Sequence, residues 1–332
     1  MAASIPSTQS GILIPQKGGR EVIKYKTDLP VPKPGPKDVL VKIAYAGLNF
    51  IDSYFRSGLY PASYPYIAGR DGAGTVVAVG PEVQNVKIGD RVGLFKAFGV
   101  FSEYTVADAA DVYVLPDDIS FETAAASLIQ GLTALSLVKD AYEVKKGDYI
   151  LVQAAAGGVG LLLVQLVKSL GAHAIGTVST PEKAELAKQA GAEYVLNYKA
   201  NTGYVNEILK ITNGKGVEAV FDGVGQATFE DSFAVVRRKG TLVTFGNASG
   251  PVPPLSVARL SQKNLKLLRP TLYNYITEPE EREFYINWLW RSIRDGSLNI
   301  KIFKVYSLKD YAQAAHDLEE RVSTGKLILK IE

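Results

Sequence analysis

Residues 148–160 read Asp-Tyr-Ile-Leu-Val-Gln-Ala-Ala-Ala-Gly-Gly-Val-Gly and constrain the fold more than any other stretch. A β-prone apolar run, Tyr149 to Val152, enters a turn of small residues that opens into an apolar helical segment over 161–170. A strand, a side-chain-poor turn and a helix, in that order, form an anion-binding corner. Phosphates can approach the bare backbone, and the unpaired amides and positive dipole end of the helix hold their charge. In the dinucleotide pattern G-x-G-x-x-G, Gly157 and Gly160 fill the second and third places, while Ala155 stands at the first. Small residues alone also describe an ordinary tight turn; the strand before and the helix after give the motif its weight. The contacts would come from Ala156, Gly157, Gly158 and Val159.

A chain of 332 residues exceeds what one core usually spans, so two domains are expected. With 47% hydrophobic and 21% charged residues, disordered and fibrous classes are excluded. A net charge of +3 is too small to argue for nucleic acid or a membrane surface. Cysteine is absent, which removes disulfides, thiol catalysis and thiolate zinc sites. The first 13 residues lack the basic start and apolar core of a signal peptide. The longest apolar run, over 159–167, is far shorter than a membrane span. These features lead to the expectation of a cytoplasmic protein, with the nucleus as a second compartment.

Residues 1–133 carry short apolar runs (39–44, 74–79, 91–94, 102–106) broken by Pro/Gly clusters, which predicts a β-rich domain. Over 134–275 the pattern alternates. Strands are predicted at 149–154, 173–178, 194–197, 217–222, 241–246 and 264–268, and helices at 158–170, 181–190, 203–212 and 227–238. Gly171, Gly191 and Gly240 sit where helices should stop, and Pro181 after Ser179 and Thr180 marks a helix start. The expected fold is α/β, with a doubly wound parallel six-stranded sheet. The tail 276–332, with a long amphipathic helix at 280–294, a strand at 300–306 and a helix at 308–321, is assigned to the first domain.

Several motifs resemble the zinc-free quinone oxidoreductases of the medium-chain dehydrogenase/reductase superfamily, the zeta-crystallin group, and its fungal members in particular. They are Gly47-Leu-Asn-Phe-Ile-Asp-Ser-Tyr54, Arg56-Ser-Gly-Leu-Tyr-Pro61, Gly69-Arg-Asp-Gly-Ala-Gly-Thr-Val76, Gln153-Ala-Ala-Ala-Gly-Gly-Val-Gly160, Val243-Thr-Phe-Gly-Asn-Ala-Ser-Gly250 and Arg269-Pro-Thr-Leu272. They span nearly the whole chain in the family's order. The resemblance implies a GroES-like catalytic domain, a Rossmann domain, a homodimer and NADPH-dependent quinone reduction. Zinc alcohol dehydrogenases carry Cys and His-Glu where this chain has Asn49 and Arg70-Asp71. With no thiol, and with His173 on a predicted internal strand, no zinc set can be assembled from these residues.

The cofactor can be read from the strand end Gly176-Thr-Val-Ser-Thr-Pro-Glu-Lys183. A site preferring NAD places Asp or Glu there for the ribose 2′-hydroxyl. Here Gly176, Thr177 and Ser179 offer backbone and hydroxyls, and Lys183 can pair with a 2′-phosphate, so NADPH is expected. Ser179 or Thr180 would also cap the helix, Glu182 answers its dipole, and Lys183 could be merely a solvated surface residue. By resemblance, Tyr198 lies near the same phosphate, Thr133 approaches the nicotinamide end, and Gly223 in Asp222-Gly-Val-Gly225 skirts the adenosine side. Phe245, Gly246 and Asn247 lie at the sheet's carboxyl edge, and Arg269 and Lys326 contact nicotinamide or phosphate. Structural turns and surface charges are the competing readings of each.

Quinone reduction needs a positioned nicotinamide and donors for the oxygen that gains charge. Asn49 and Tyr54 are the candidates, as catalytic donors and cofactor contacts; Tyr54 could equally be an ordinary core-edge tyrosine. An unperturbed phenol is a poor acid at neutral pH, which favours positioning over acid catalysis. Tyr45, Tyr60, Tyr64 and Tyr66 could wall a site for flat acceptors. Three other functions compete. One is an enone or alkenal reductase using the same cofactor. Another is a moonlighting AU-rich RNA-binding role, implied by the family and disfavoured by the small net charge. The third is a cofactor-binding structural protein without turnover. Hydrolase and P-loop patterns are absent.

Overall fold

The structure is a computed structural model that describes residues 5–95, 97–200 and 203–331. It divides into two compact units, Met1–Ile129 with Ile300–Glu332, and Gln130–Asn299.

The first unit begins with β1 (Thr8–Ile14), β2 (Lys24–Pro30) and β3 (Asp38–Gly47), followed by α1 (Phe50–Ser57). Then come β4 (Tyr66–Ile67), β5 (Asp71–Val79), β6 (Arg91–Phe95), β7 (Tyr104–Asp108), β8 (Val112–Val114) and α2 (Phe121–Ser136), which carries the chain into the second unit. β1 is paired on both sides in a three-stranded sheet of order β2-β1-β4. The long strand β3 organises the rest. It pairs with β5 over nearly its whole length, while β7 takes the other side of its first half. Its inward residues Val39, Val41 and Ile43 alternate, as a half-buried strand requires, and pack with Ile12, Ile14, Val76, Val92 and Phe101.

The second unit runs β9 (Tyr149–Val152), α3 (Gly158–Ser169), β10 (His173–Val178), α4 (Pro181–Ala190), β11 (Tyr194–Asn197), α5 (Tyr204–Ile211) and β12 (Val217–Asp222). It continues through α6 (Phe229–Val235), β13 (Val236–Thr244), β14 (Lys266–Leu268), α7 (Leu272–Tyr275) and α8 (Pro279–Arg294). Its six strands are all parallel in the order β11-β10-β9-β12-β13-β14. The chain winds outward from β9 in one direction and then from β12 in the other, so the strand order reverses between these two. That is the doubly wound sheet expected from the alternating pattern. Ile150, Leu151, Val152, Val220 and Phe221 are fully buried, as continuous apolar strands covered on both faces should be.

The chain then returns to the first unit with β15 (Ile302–Ser307), α9 (Tyr311–Glu319) and β16 (Lys326–Lys330). β16 lies antiparallel to the second half of β3, at Tyr45, Ala46 and Gly47, and completes a seven-stranded sheet.

Three expectations need correction. The tail returns to the first unit at residue 300, not 276, because α8 belongs to the second unit. Leu289 of α8 is fully buried over Gly131, where a Cβ would meet its side chain at 2.6 Å, and Tyr285 bonds Asp140. The helix predicted to reach 238 ends at Val235, and Val236 already pairs with Val217 in the sheet. Gly240 therefore lies within a strand, where a Cβ would meet the Glu218 carbonyl at 2.9 Å. Finally, Phe121–Ala141 is long and apolar enough to cross a membrane by length and composition, a run not singled out in the sequence. Within the fold 67% of its apolar window is buried, as in a core helix.

Candidate active site

Because the strands of the second unit are parallel, their carboxyl ends share one edge of the sheet. Residues 156–159 follow β9, 179–183 follow β10 and Tyr198 follows β11. Gly223 follows β12, residues 245–247 follow β13 and Arg269 follows β14. Thr133, half-buried, lies on α2 near the start of the unit's chain. The turn after β9 stands where the strand order reverses, the usual place for a ligand in such sheets.

The turn is shaped by contacts that exclude side chains. Ala154 adopts a left-handed backbone (φ 55°), and Gly157 caps α3 with extended geometry. A Cβ on Gly160 would meet the Ala154 carbonyl at 2.3 Å, so helix and turn touch backbone to backbone. The alanine at the first glycine place is accommodated by its neighbour: a Cβ on Gly176 would lie 2.7 Å from the Ala155 Cβ. Gly176 thus makes room for Ala155 from inside β10, which is a packing role. The same logic explains Gly223 and Gly246. A Cβ on Gly223 would meet the Phe245 ring at 2.9 Å, and one on Gly246 the Gly223 carbonyl at 2.3 Å.

Beneath this edge lies a buried polar network that sequence reasoning missed. The Thr177 hydroxyl donates to Gln153 Oε1 (2.5 Å) and accepts from the Ala154 amide, so Thr177 supports the turn from within β10. Gln153 Nε2 donates to the Ser232 hydroxyl (3.0 Å), which donates to Asp222 Oδ2 (2.9 Å). Asp222, fully buried, also accepts from the amides of Val224 and Gly225 and from Thr228 Oγ1. Four neutral donors therefore satisfy one carboxylate and tie the ends of β9, β10 and β12 together. Further along, Arg269 Nη1 donates to the Thr244 carbonyl (2.7 Å), and Nη2 lies 3.0 Å from the Asn247 amide oxygen, oriented to accept.

At the end of β10, Thr180 and not Ser179 caps α4, accepting from the Lys183 amide, with Pro181 in the first turn. The Glu182 carboxyl is held below its usual range by its own backbone amide and by Thr180. It is engaged at the helix start, in keeping with the dipole reading.

In the first unit, Asn49 stands between β3 and α1, and its backbone amide donates to the Asp52 carboxylate (2.8 Å), closing the helix start. Its side chain is only 6% exposed. Nδ2 donates to Asp71 Oδ1 (2.6 Å) and to the Gly47 carbonyl (3.1 Å), and Oδ1 accepts from Lys326 Nζ (2.7 Å). Both amide protons are thus taken up within the chain, by Asp71 and the Gly47 carbonyl. Lys326 closes the same network. At 1% exposure its ammonium bonds Asn49 and pairs with Asp71 Oδ2 at 3.7 Å, so it is an internal cation. Asp71 accepts at both oxygens, from Asn49 and from the Ile129 amide, as an ionised carboxylate does.

Burial pushes Lys326 down and Asp71 up, and their mutual attraction opposes both shifts. Asp52 is pushed up to about 7 by burial and by the Asp71 charge, against the Asn49 amide, Lys326 and Arg70. The residues at the positions of zinc ligands therefore do not fit a metal. The amide and carboxylate are saturated by an ammonium, and Arg70 adds a second positive charge beside them. Among the described residues no group of three His, Cys, Asp or Glu side chains could hold an ion.

Tyr54, on the second turn of α1, is 8% exposed with its ring edge-on to Tyr60 at 5.2 Å. Aromatic contacts run on from Tyr60 to Phe55 (5.8 Å), Phe98 (5.2 Å), Tyr66 (5.7 Å) and Tyr64 (5.5 Å). Tyr60, Tyr64 and Tyr66 thus join one aromatic wall, while Tyr45 lies in β3 outside it. Arg70 lies over the Phe98 ring at 4.2 Å, and Phe98 itself is 43% exposed.

Comparison with known proteins agrees with this architecture. Residues 35–117 match the alcohol dehydrogenase GroES-like domain, and residues 158–291 match the family described as zinc-binding dehydrogenase. A probable quinone oxidoreductase of Schizosaccharomyces pombe is 45% identical over 301 residues, 90% of each chain. A quinone oxidoreductase of Pseudomonas aeruginosa is 44% identical over 94% of this chain and 96% of its own. Among solved structures, Escherichia coli quinone oxidoreductase complexed with NADPH superposes with a TM-score of 0.93 at 40% identity, covering 97% of this chain and 99% of that one. With the GroES-like and dinucleotide-binding units both in place and these identities sustained along the chain, the protein belongs to the quinone oxidoreductases of the medium-chain dehydrogenase/reductase superfamily.

Proposed function

We propose that the protein reduces quinones at the expense of NADPH. The observation that carries this reading is the carboxyl edge of the parallel sheet. A glycine turn there is packed too closely for side chains, and the end of β10 offers Ser179 and Lys183, with the neighbouring Glu182 carboxylate engaged at the helix start. An edge of this kind receives a pyrophosphate on amides and a 2′-phosphate on an ammonium. NADPH, when bound, supplies the reducing equivalents. The relatives named as quinone oxidoreductases, one of them solved with NADPH, support the same reading.

The rest falls to the chain's own residues. The aromatic wall built around Phe55 suits a flat, electrophilic acceptor, and Tyr54, in ring contact with it, is assigned to donate toward the oxygen that gains charge. A homodimer resident in the cytoplasm completes the proposal. The outer edge of β14 ends the six-stranded sheet and supports pairing with a second copy. Sedimentation should therefore give twice the chain mass, and a monomer would remove that part.

A kinetic panel of ortho-quinones, para-quinones and enones with NADPH tests the activity, with Tyr54→Phe alongside. Quinones should turn over fastest, and the phenylalanine variant should lose about tenfold or more in kcat. Preference for enones would move the protein to alkenal reduction; binding of NADPH with no turnover on any acceptor would make it a structural protein.

A further inference from the structure

We infer that Lys326 is a positioning residue for the reaction, an internal ammonium that fixes the Asn49 turn and through it the helix bearing Tyr54. The inference rests on the quinone-reductase reading and names a residue class that reading does not require.

Asn49, Asp71 and Lys326 come from three places that meet only in the folded sheet: the turn after β3, the start of β5 and the start of β16. β3 pairs with both neighbours here, Gly47 with Asp71 on one side and with Ile328 on the other. The ammonium holds the amide by its oxygen and the carboxylate holds it by its nitrogen, so the amide has one orientation. The space is closed: a Cβ on Gly47 would meet Lys326 Cε at 2.8 Å, Asp71 Oδ1 at 2.9 Å and the Ala125 carbonyl at 2.4 Å. Asn49 also opens α1, with its amide in the Asp52 carboxylate and its carbonyl accepting from the Asp52 amide. Tyr54 follows five residues later on the same short helix, whose direction is set at that first turn. A buried lysine–carboxylate pair is costly to desolvate, and here the pair fixes the orientation of the amide between its two charges.

The test separates charge from bulk in the full chain. Lys326→Met keeps length and removes charge, and strands Asp71; Lys326→Met/Asp71→Asn removes both charges of the pair. Lys326→Met is expected to lower quinone kcat by about thirtyfold, the scale of a misplaced reacting group, with the NADPH dissociation constant within about threefold of the parent. The double variant should regain thermal stability without regaining kcat. Any of three kinetic or binding results overturns the inference: kcat of Lys326→Met within threefold of the parent, recovery of kcat together with stability in the double variant, or NADPH binding weakened more than about tenfold, which makes Lys326 a cofactor ligand. A double variant that does not fold also overturns it, since the pair would then be a structural necessity. If the parent reduces no quinone, the functional reading fails by itself. Hydrogen exchange over 47–57 then decides, with unchanged protection in Lys326→Met counting against the positioning role.

Discussion

The two units each bury a carboxylate beside a candidate functional turn, and they satisfy it in opposite ways. Asp222 is surrounded by neutral donors, two amides and two hydroxyls, all within ten residues of it along the chain. Asp71 is answered by an ammonium from Lys326, near the far end of the chain. The first arrangement is local and forms with the β12-to-α6 connection. The second exists only once β16 has docked on β3. A cofactor corner can thus be built from short-range hydrogen bonds, while the turn carrying Asn49 and Tyr54 depends on long-range charge.

Breaking the local network should have the largest effect. Asp222→Ala strands buried amides and hydroxyls, and a loss of about 3 to 5 kcal/mol in urea unfolding is expected; a loss below about 1 kcal/mol would show that the network is dispensable. In the charged region, Asp52 adds a dependence on pH. Its proton is held more tightly in the folded state (up to about 7) than in the unfolded state (3.8), so folding stability declines as pH rises between those values. The groups facing it are Asp71, Lys326, Arg70, Tyr66 and Tyr311. Asp52→Asn should flatten that decline, on the order of 4 kcal/mol in full, in unfolding curves taken across the range. An unchanged slope would assign the pH dependence elsewhere.

Two smaller effects sharpen the cofactor side. Gly160→Ala places a methyl against the Ala154 carbonyl, and NADPH affinity by fluorescence titration should fall about a hundredfold. Lys183→Ala should weaken NADPH about tenfold and leave NADH unchanged, because only the 2′-phosphate is lost. Equal weakening of both would show that Lys183 serves α4 and not the cofactor.

The contrast also explains what could be read in advance. The second unit's strands and helices follow from apolar runs, small turns and helix stops, each a property of neighbours in sequence. The early start of β13 was missed because Val236 reads equally well as helix until its pairing with Val217 is known. The place of α8 was hidden because an amphipathic helix shows which face it buries but not on which unit. Asn49 and Tyr54 were legible as a motif. The neighbours that redefine Asn49 were not, since nothing near Lys326 in sequence marks it as buried, and its partners lie more than 250 residues away. The swap of Ala155 against Gly176 is similar: each looks like an exception alone, and together they conserve space across β9 and β10.

The central claim is NADPH-driven quinone reduction by a chain whose cation is its own lysine. The most direct test follows NADPH oxidation by a quinone before and after exhaustive treatment with a strong zinc chelator, and again after zinc is returned. The account predicts the same rate in all three, with NADPH preferred over NADH. A rate abolished by the chelator and restored by zinc would contradict it.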